Sequence, residues 1–305
     1  MGTRVPQRIS VGTEMSSAPE ATLDYSTPAE RENLERVDDL YQKVIDKKNL
    51  DAADEFFGAG FVQHNPLYGE GVAGFKRFVG DFFLGTFPDL TATVDLAVCQ
   101  NDRVLAHIHW AGHDESGREF ELWTADLYRF QDGRAVEHWD VIEYTELVPW
   151  GPARPGGPRP RGEFDLNGTP AQLANLDLLT QVAQNVPLQD LSRAHEYFAE
   201  DFFQHDRMIR HGLDGFKECC NNFLHLAPDM VVDPRHVVVG SHIVGTIWDW
   251  KGHKPGSDVE VVLVNSDCYR IEDGKFTEHW PVVDYTSAIE AYGYHPKDLF
   301  QKESS

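Results

Sequence analysis

The spacing of apolar residues along the chain switches from helical to strand-like, and it makes the same switch twice. Over residues 28–47, Leu34, Val37, Leu40, Tyr41 and Val44 recur at helical spacing, and residues 51–57 and 73–84 continue in helical pattern. Alternation then predicts strands over Thr91–Gln100, Arg103–His113, 119–130 and 134–143. The second series has helices over Pro170–Asn185, 189–198 and 214–225. Its strands fall near Val231–Val239, 242–251, 257–271 and Lys275–Asp284. Helices followed by an antiparallel meander predict an α+β fold, with helices covering one face of a curved sheet. Such a cone encloses space for a small ligand.

The two series are copies of one unit. FVQHNP at 61–66 recurs as FFQHDR at 202–207, and GVAGFK at 71–76 recurs as GLDGFK, both 141 residues later. Pro88-Asp89 and the WAGH run from Trp110 recur at an offset of 140. The run ADLYRFQDGRAVEHWDVIEYT (125–145) returns at 141 as SDCYRIEDGKFTEHWPVVDYT. One order with single-residue slips is the mark of a tandem duplication. Between the copies, VPWGPARPGGPRPRGEF reads as a Pro/Gly/Arg linker. The expected division is a disordered tail over 1–27, a first domain over 28–148, a linker over 149–168 and a second domain over 169–300. A length of 305 residues suits two domains.

Charge and cysteine content narrow the function. Lys and Arg total 27 against 50 Asp and Glu, a net charge of -23. That balance disfavours nucleic acid and anionic membrane as partners and favours a soluble, self-repelling surface. The four cysteines lack metal-clip spacing, and the N-terminal stretch lacks an apolar signal core. A reduced, cytoplasmic protein is the expectation. No phosphate-cradling, dinucleotide-binding or nucleophile-elbow motif occurs.

The chemistry-bearing residues cluster on the last hairpin. A three-residue loop, Gln131-Asp132-Gly133, would set Asp126 opposite His138. Alternation would then bring Thr124, Asp126, His138 and Asp140 to one face, with Trp139 on the other. Two carboxylates and an imidazole there make an acid/base set. The alternative is that they face solvent or bind loop backbone. The copies share His64/His205, Asp126/Asp267, Tyr128/Tyr269, His138/His279 and Trp139/Trp280, but Asp140 is matched by Pro281. Proline has no acid/base function, so Asp140 is the leading catalytic candidate, supported by His138 and Asp126. The second copy would keep only a binding pocket, through His205, Asp267 and His279. His64 would reach the pocket mouth or bond local backbone. Thr124, Tyr128, Trp123, Trp110 and Phe83 would line the cavity or form plain core. His107, His109 and His113 are the nearest approach to a metal set, without an evident third ligand, and no metal is expected.

QHNP, a Pro-Asp before the first strand, and DLYRxxDGxxxEHWD together resemble the SnoaL-like polyketide cyclases, within the nuclear-transport-factor-2-like cone folds. The resemblance spans nearly all of both copies. It implies that Asp140 acts as acid/base in an aldol closure, that Asp126 is its polar partner, and that neither metal nor organic cofactor takes part. It also implies sheets that pair, here as an intramolecular pseudo-dimer, with a further homodimer open. The expected function is a cyclase or isomerase acting on a small carbonyl-containing, polyketide-like metabolite. Two alternatives stand beside it: a non-catalytic binding or scaffold protein, and an epoxide hydrolase of the same fold. The hydrolase would need an arginine between two aspartates, and Arg129 points away by alternation.

Overall fold

Local signals start each copy at a defined residue. In the first, β1 (Thr22–Asp24) leads to α1 (Pro28–Leu40). The Thr27 side chain accepts from the Glu30 N–H, and Glu30 accepts from the Thr27 N–H. Pro28 occupies the first turn, where no N–H is needed. Leu34, Val37 and Leu40 form its buried stripe. Then come α2 (Ala53–Phe56), β2 (Phe57–Gln63), α3 (Gly71–Phe78), β3 (Thr91–Gln100), β4 (Arg103–His113), β5 (Glu119–Gln131), β6 (Arg134–Ile142) and α4 (Tyr144–Leu147). The second copy runs α5 (Pro170–Asn185), α6 (Ala194–Tyr197), β7 (Phe198–Gln204), α7 (Gly212–Leu226), β8 (Val231–Val239), β9 (Ile243–His253), β10 (Glu260–Glu272), β11 (Lys275–Asp284) and α8 (Thr286–Tyr292). This computed structural model describes residues 21–147, 149–150, 164–165, 167–186, 190–206 and 209–293.

The sheets are ordered β1-β3-β4-β5-β6-β2 and β7-β11-β10-β9-β8. Each meander is antiparallel, whereas β2 and β7 lie parallel to the last strand of their own copy. The helical and strand patterns locate both meanders, but β1, β2 and β7 are additions to them. β2 (FGAGFVQ) carries two glycines and no clean alternation, so its pairing is set by the neighbouring strand. β1 corrects the expected tail: Thr22–Asp24 pairs with Leu96–Val98. Residues 1–20, most of the linker and residues 294–300 lie outside the described residues.

The slips in the repeat have a structural cause. In the first copy, α1 continues into a π-helical turn at Tyr41–Asp46, and α3 into another at Val79–Leu84. In the second copy, α5 and α7 are α-helical throughout. Thr27 to Leu50 is one residue longer than Thr169 to Leu191, and Gly71 to Pro88 one longer than Gly212 to Pro228. A residue inserted into an α-helix without breaking it widens one turn, which is a π-bulge. Both bulges send aromatic side chains into the cone. Tyr41 packs edge-on against Trp110 with centroids 5.6 Å apart, and Phe83 stacks on the same ring at 4.9 Å.

Each cone has its own apolar core between helices and inner sheet face. A third apolar cluster joins the outer faces of the sheets: Leu96, Val98, Leu105, Ala125, Leu127 and Val141 against Val238, Ile243, Ile247, Val264, Cys268 and Val282. Polar anchors surround it. Asp24 accepts from the N–H groups of His242 (2.6 Å) and Ile243 (2.7 Å). Gln100 accepts from the Val239 N–H and donates to the carbonyls of Asp165 and Asn167.

His107 lies in this contact, with Nε2 3.1 Å from Ser266 Oγ. Burial pushes its pKa down to about 3, and that of His236, beside Trp139, likewise to about 3. The unfolded chain therefore binds more protons than the folded chain between about pH 6.5 and that value. Stability fully present above the unfolded pKa is lost as pH falls, by about 1.4 kcal/mol per pH unit for each histidine. Asp24, whose pKa burial raises, opposes part of this loss. The urea midpoint is expected to fall on acidification from about pH 7 to about pH 5, less steeply in His107→Ile. An unchanged slope in that variant would remove His107 from the explanation.

Candidate active site

The hairpin of β5 and β6 carries the site. Its turn is a two-residue loop, with Asp132 and Gly133 both at positive φ (51° and 71°), as a type I′ turn requires. A bulge between Arg129 and Phe130 in the pairing leaves Val136 unmatched. Together these shift the register by two residues from the expected one, so Asp126 lies opposite Asp140 and Tyr128 opposite His138. A shift of two preserves facing. Thr124, Asp126, His138 and Asp140 therefore still share the inner face, and all four are buried.

Two hydrogen-bonded chains meet there. In the first, the Asn65 N–H donates to Gln63 Oε1 at 2.9 Å, which fixes the amide with Nε2 toward His138 Nδ1 at 2.8 Å. Nδ1 must then accept, so the ring proton sits on Nε2 and is donated to Asp126 Oδ1 at 2.8 Å. Thr124 donates to the other Asp126 oxygen and accepts from the Trp110 indole at 2.9 Å. In the second chain, Asn65 Nδ2 donates to both Asp140 oxygens (2.9 and 3.0 Å) and to the Tyr144 hydroxyl (2.8 Å).

Tyr68 completes the set. Asn65 shapes the turn that delivers it, accepting from the Leu67 N–H on its side chain and the Tyr68 N–H on its carbonyl. Gly74 lets α3 close on this turn, since a Cβ there would lie 2.6 Å from the Tyr68 carbonyl oxygen. The Tyr68 hydroxyl makes no hydrogen bond with the described residues. Burial, then the nearby Asp140 and Asp126 carboxylates, hold its pKa well above the usual phenol value, so it keeps its proton. Tyr128 stacks on His138 at 4.5 Å and shares a 2.9 Å hydroxyl contact with Tyr41.

The expected residues divide by face. Thr124, Tyr128, Trp110 and Phe83 belong to the inner layer. Trp123 does not. It lies on the outer face, stacked on His109 and donating to Asp95 at 3.1 Å, because its neighbour Thr124 points inward. His64 also departs from the expected pocket mouth. Gln63 takes the inward position, and His64 stacks on Trp139 at 4.4 Å on the outer face. His205 is corrected likewise, stacked on Trp280 at 4.5 Å. His107, His109 and His113 bind separately to Ser266, Glu121 and Asp89 and do not converge. Arg129 is held outside by Glu137 at 2.8 Å.

Asp126, His138 and Asp140 offer ligand atoms within 4.8 Å of one another. Yet both His138 nitrogens and both Asp126 oxygens are engaged by the residues above. A cation would have to break those bonds, so the arrangement suits proton relay better than ligation. Gln63, Asn65, Tyr68 and Tyr144 were not identified from the sequence. Gln63, which recurs as Gln204, and Tyr144, which recurs as Tyr285, carried a signal in the repeat.

In the second copy, Gln204, His279 and Asp267 occupy the same places, with His279 Nε2 2.8 Å from Asp267, but the Gln204 amide is turned so that its Oε1 rather than its Nε2 meets His279 Nδ1. The residues of the second chain are not repeated: Asp206, Ile209 and Pro281 stand where the first copy has Asn65, Tyr68 and Asp140.

A profile described as SnoaL-like polyketide cyclase matches residues 35–149 and again 177–291. Among solved structures, TsrD from Streptomyces laurentii is 20% identical over 41% of this chain and 96% of its own, with a TM-score of 0.35. A putative polyketide cyclase from Bacillus cereus is 17% identical over 47% and 96%, at 0.40. IdmH, a putative polyketide cyclase from Streptomyces antibioticus, is 24% identical over 38% and 96%, at 0.34. No curated protein sequence matches the chain. No helix among the described residues is long and apolar enough to cross a membrane.

Proposed function

Because the chain belongs to the SnoaL-like polyketide cyclase family, we propose that its first domain is a cofactor-independent acid/base enzyme, an aldol-type cyclase or isomerase acting on a small carbonyl compound. One observation carries this reading: Asp140, its holder Asn65 and the facing phenol Tyr68 form a unit, and all three are replaced together in the second copy. Residues that served only the fold would have no reason to be exchanged as a set.

Asp140 takes a proton from the carbon beside a carbonyl, and the C–H bonding pair becomes the enolate. The protonated Tyr68 hydroxyl donates to the enolate oxygen, which removes part of the charge that Asp140 and Asp126 would otherwise repel. The enolate carbon then attacks a second carbonyl of the same molecule, forming a C–C bond. The resulting alkoxide takes the proton back from Asp140. In an isomerase that proton returns to a different carbon and the double bond shifts. Either route restores the base and needs no co-reactant. The Gln63–His138–Asp126 chain keeps Asp126 oriented, and the buried site keeps water from quenching the enolate.

The test is deuterium uptake α to the carbonyl in heavy water, across β-keto esters and diketones, read by mass spectrometry. Wild type and Asp267→Asn are expected to exchange. Tyr68→Phe should lower kcat by about 10²–10³-fold, the effect of removing one oxyanion donor, with a much smaller change in KM. If wild type exchanges nothing from compounds that demonstrably bind, the enzyme reading fails and a binding protein takes its place.

A further inference from the structure

The second cone differs from the first in a way that points to a ligand. In the first, the Trp110 indole donates to Thr124, and both ends of the Gln63 amide are paired. The matching residues in the second are Trp250, Asn265 and Gln204, on the same inner face. Trp250 Nε1, Asn265 Oδ1 and Gln204 Nε2 have no hydrogen-bond partner among the described residues. These residues are only 5%, 2% and 0% exposed. Buried polar groups are paired as a rule, so three open ones on one inner face need an explanation.

We propose that the second cone is a separate binding site for a neutral molecule presenting a lactam- or carboxamide-type edge. Trp250 pairs across the sheet with Leu263, two residues from Asn265 on β10, so the indole N–H and the amide are diagonal neighbours. Replacing threonine by asparagine here leaves a donor and an acceptor at neighbouring positions, each without a partner among the described residues. A cis amide supplies the complement: its carbonyl accepts from Trp250 and its N–H donates to Asn265. Neutrality follows from Asp267, whose oxygens are already taken by His279 and the Trp248 indole. Phe216, Phe223 and Tyr269 supply apolar walls for a planar ring. Pro281 lies half-buried where the first copy holds buried Asp140, so this cone binds without a base. The site extends the function beyond the chemistry of the first domain and does not depend on it.

The test uses the full chain with ¹⁵N-labelled indoles. The protein has 7 tryptophans, and Trp250→Phe assigns the relevant signal. Titration with 2-pyridone is expected to shift the Trp250 signal saturably. N-methyl-2-pyridone, which lacks the donor, should bind at least about tenfold more weakly, as loss of one buried hydrogen bond implies. Asn265→Thr restores the pairing of the first copy, so it should abolish the response and raise Tm. Asn265→Leu should also abolish it, while Asp140→Asn should keep it. No saturable shift at Trp250, equal binding of the two pyridones, or a full response in Asn265→Thr would each overturn the proposal. So would a response confined to Trp110, which would place the ligand in the first cone.

Discussion

Asp140→Asn is expected to lower turnover by about 10²–10⁴-fold, the usual contribution of a general base, with the fold intact. The amide keeps the shape of the carboxylate, and its oxygen can still accept from Asn65 Nδ2. What it loses is the ability to take a proton from carbon. The substitution also removes one of two carboxylates placed directly opposite each other across β5 and β6, a pairing that opposes folding. Tm is therefore expected to hold or rise while kcat collapses. Stopped-assay turnover, α-deuterium uptake and a melting curve on the same preparation separate the two effects. Full turnover in this variant would remove Asp140 from the mechanism. Lost turnover with a large drop in Tm would make its role structural.

The sequence carried the architecture because two signals are robust to local error. Periodicity locates the meanders, and duplication repeats each signal. Facing on the hairpin survived a register mistaken by two residues, since the loop type and the bulge at Val136 combined to an even shift. Had either feature acted alone, Asp126 would have faced neither His138 nor Asp140 in register. His64 shows the opposite case. QHNP reads as a turn, but Gln63 closes a strand that pairs with β6, so its inward and outward positions exchange the roles of Gln63 and His64. Tyr68 lies in a turn without any period. Its relation to Asp140 shows only in the joint replacement by Ile209 and Pro281, once the two are known to be neighbours. The π-bulges were visible as slips in the repeat, but their consequence, aromatic rings aimed at Trp110, depends on helix geometry that spacing alone does not give.

The outer-face contact makes the second large prediction. Leu127 is fully buried there, one residue from Asp126, whose side chain faces into the cone. Leu127→Asp would place a carboxylate among Leu96, Val98, Leu105 and Val141 and the apolar side chains of the second sheet. An unpaired charge in such a layer costs on the order of 4 kcal/mol, against a typical domain stability of about 5–15 kcal/mol. Tm should fall by roughly 10 °C, and activity should be lost well below the wild-type melting temperature. Leu127→Ala, which only opens a cavity, should cost less. Val62→Asp, at a side chain 45% exposed, should leave Tm nearly unchanged. If Leu127→Asp melts like wild type, the two sheets do not pack through these faces in solution. If it melts early while Val62→Asp does not, the copies act as a fused pair, and the second sheet braces the strand that carries the acid/base residues of the first.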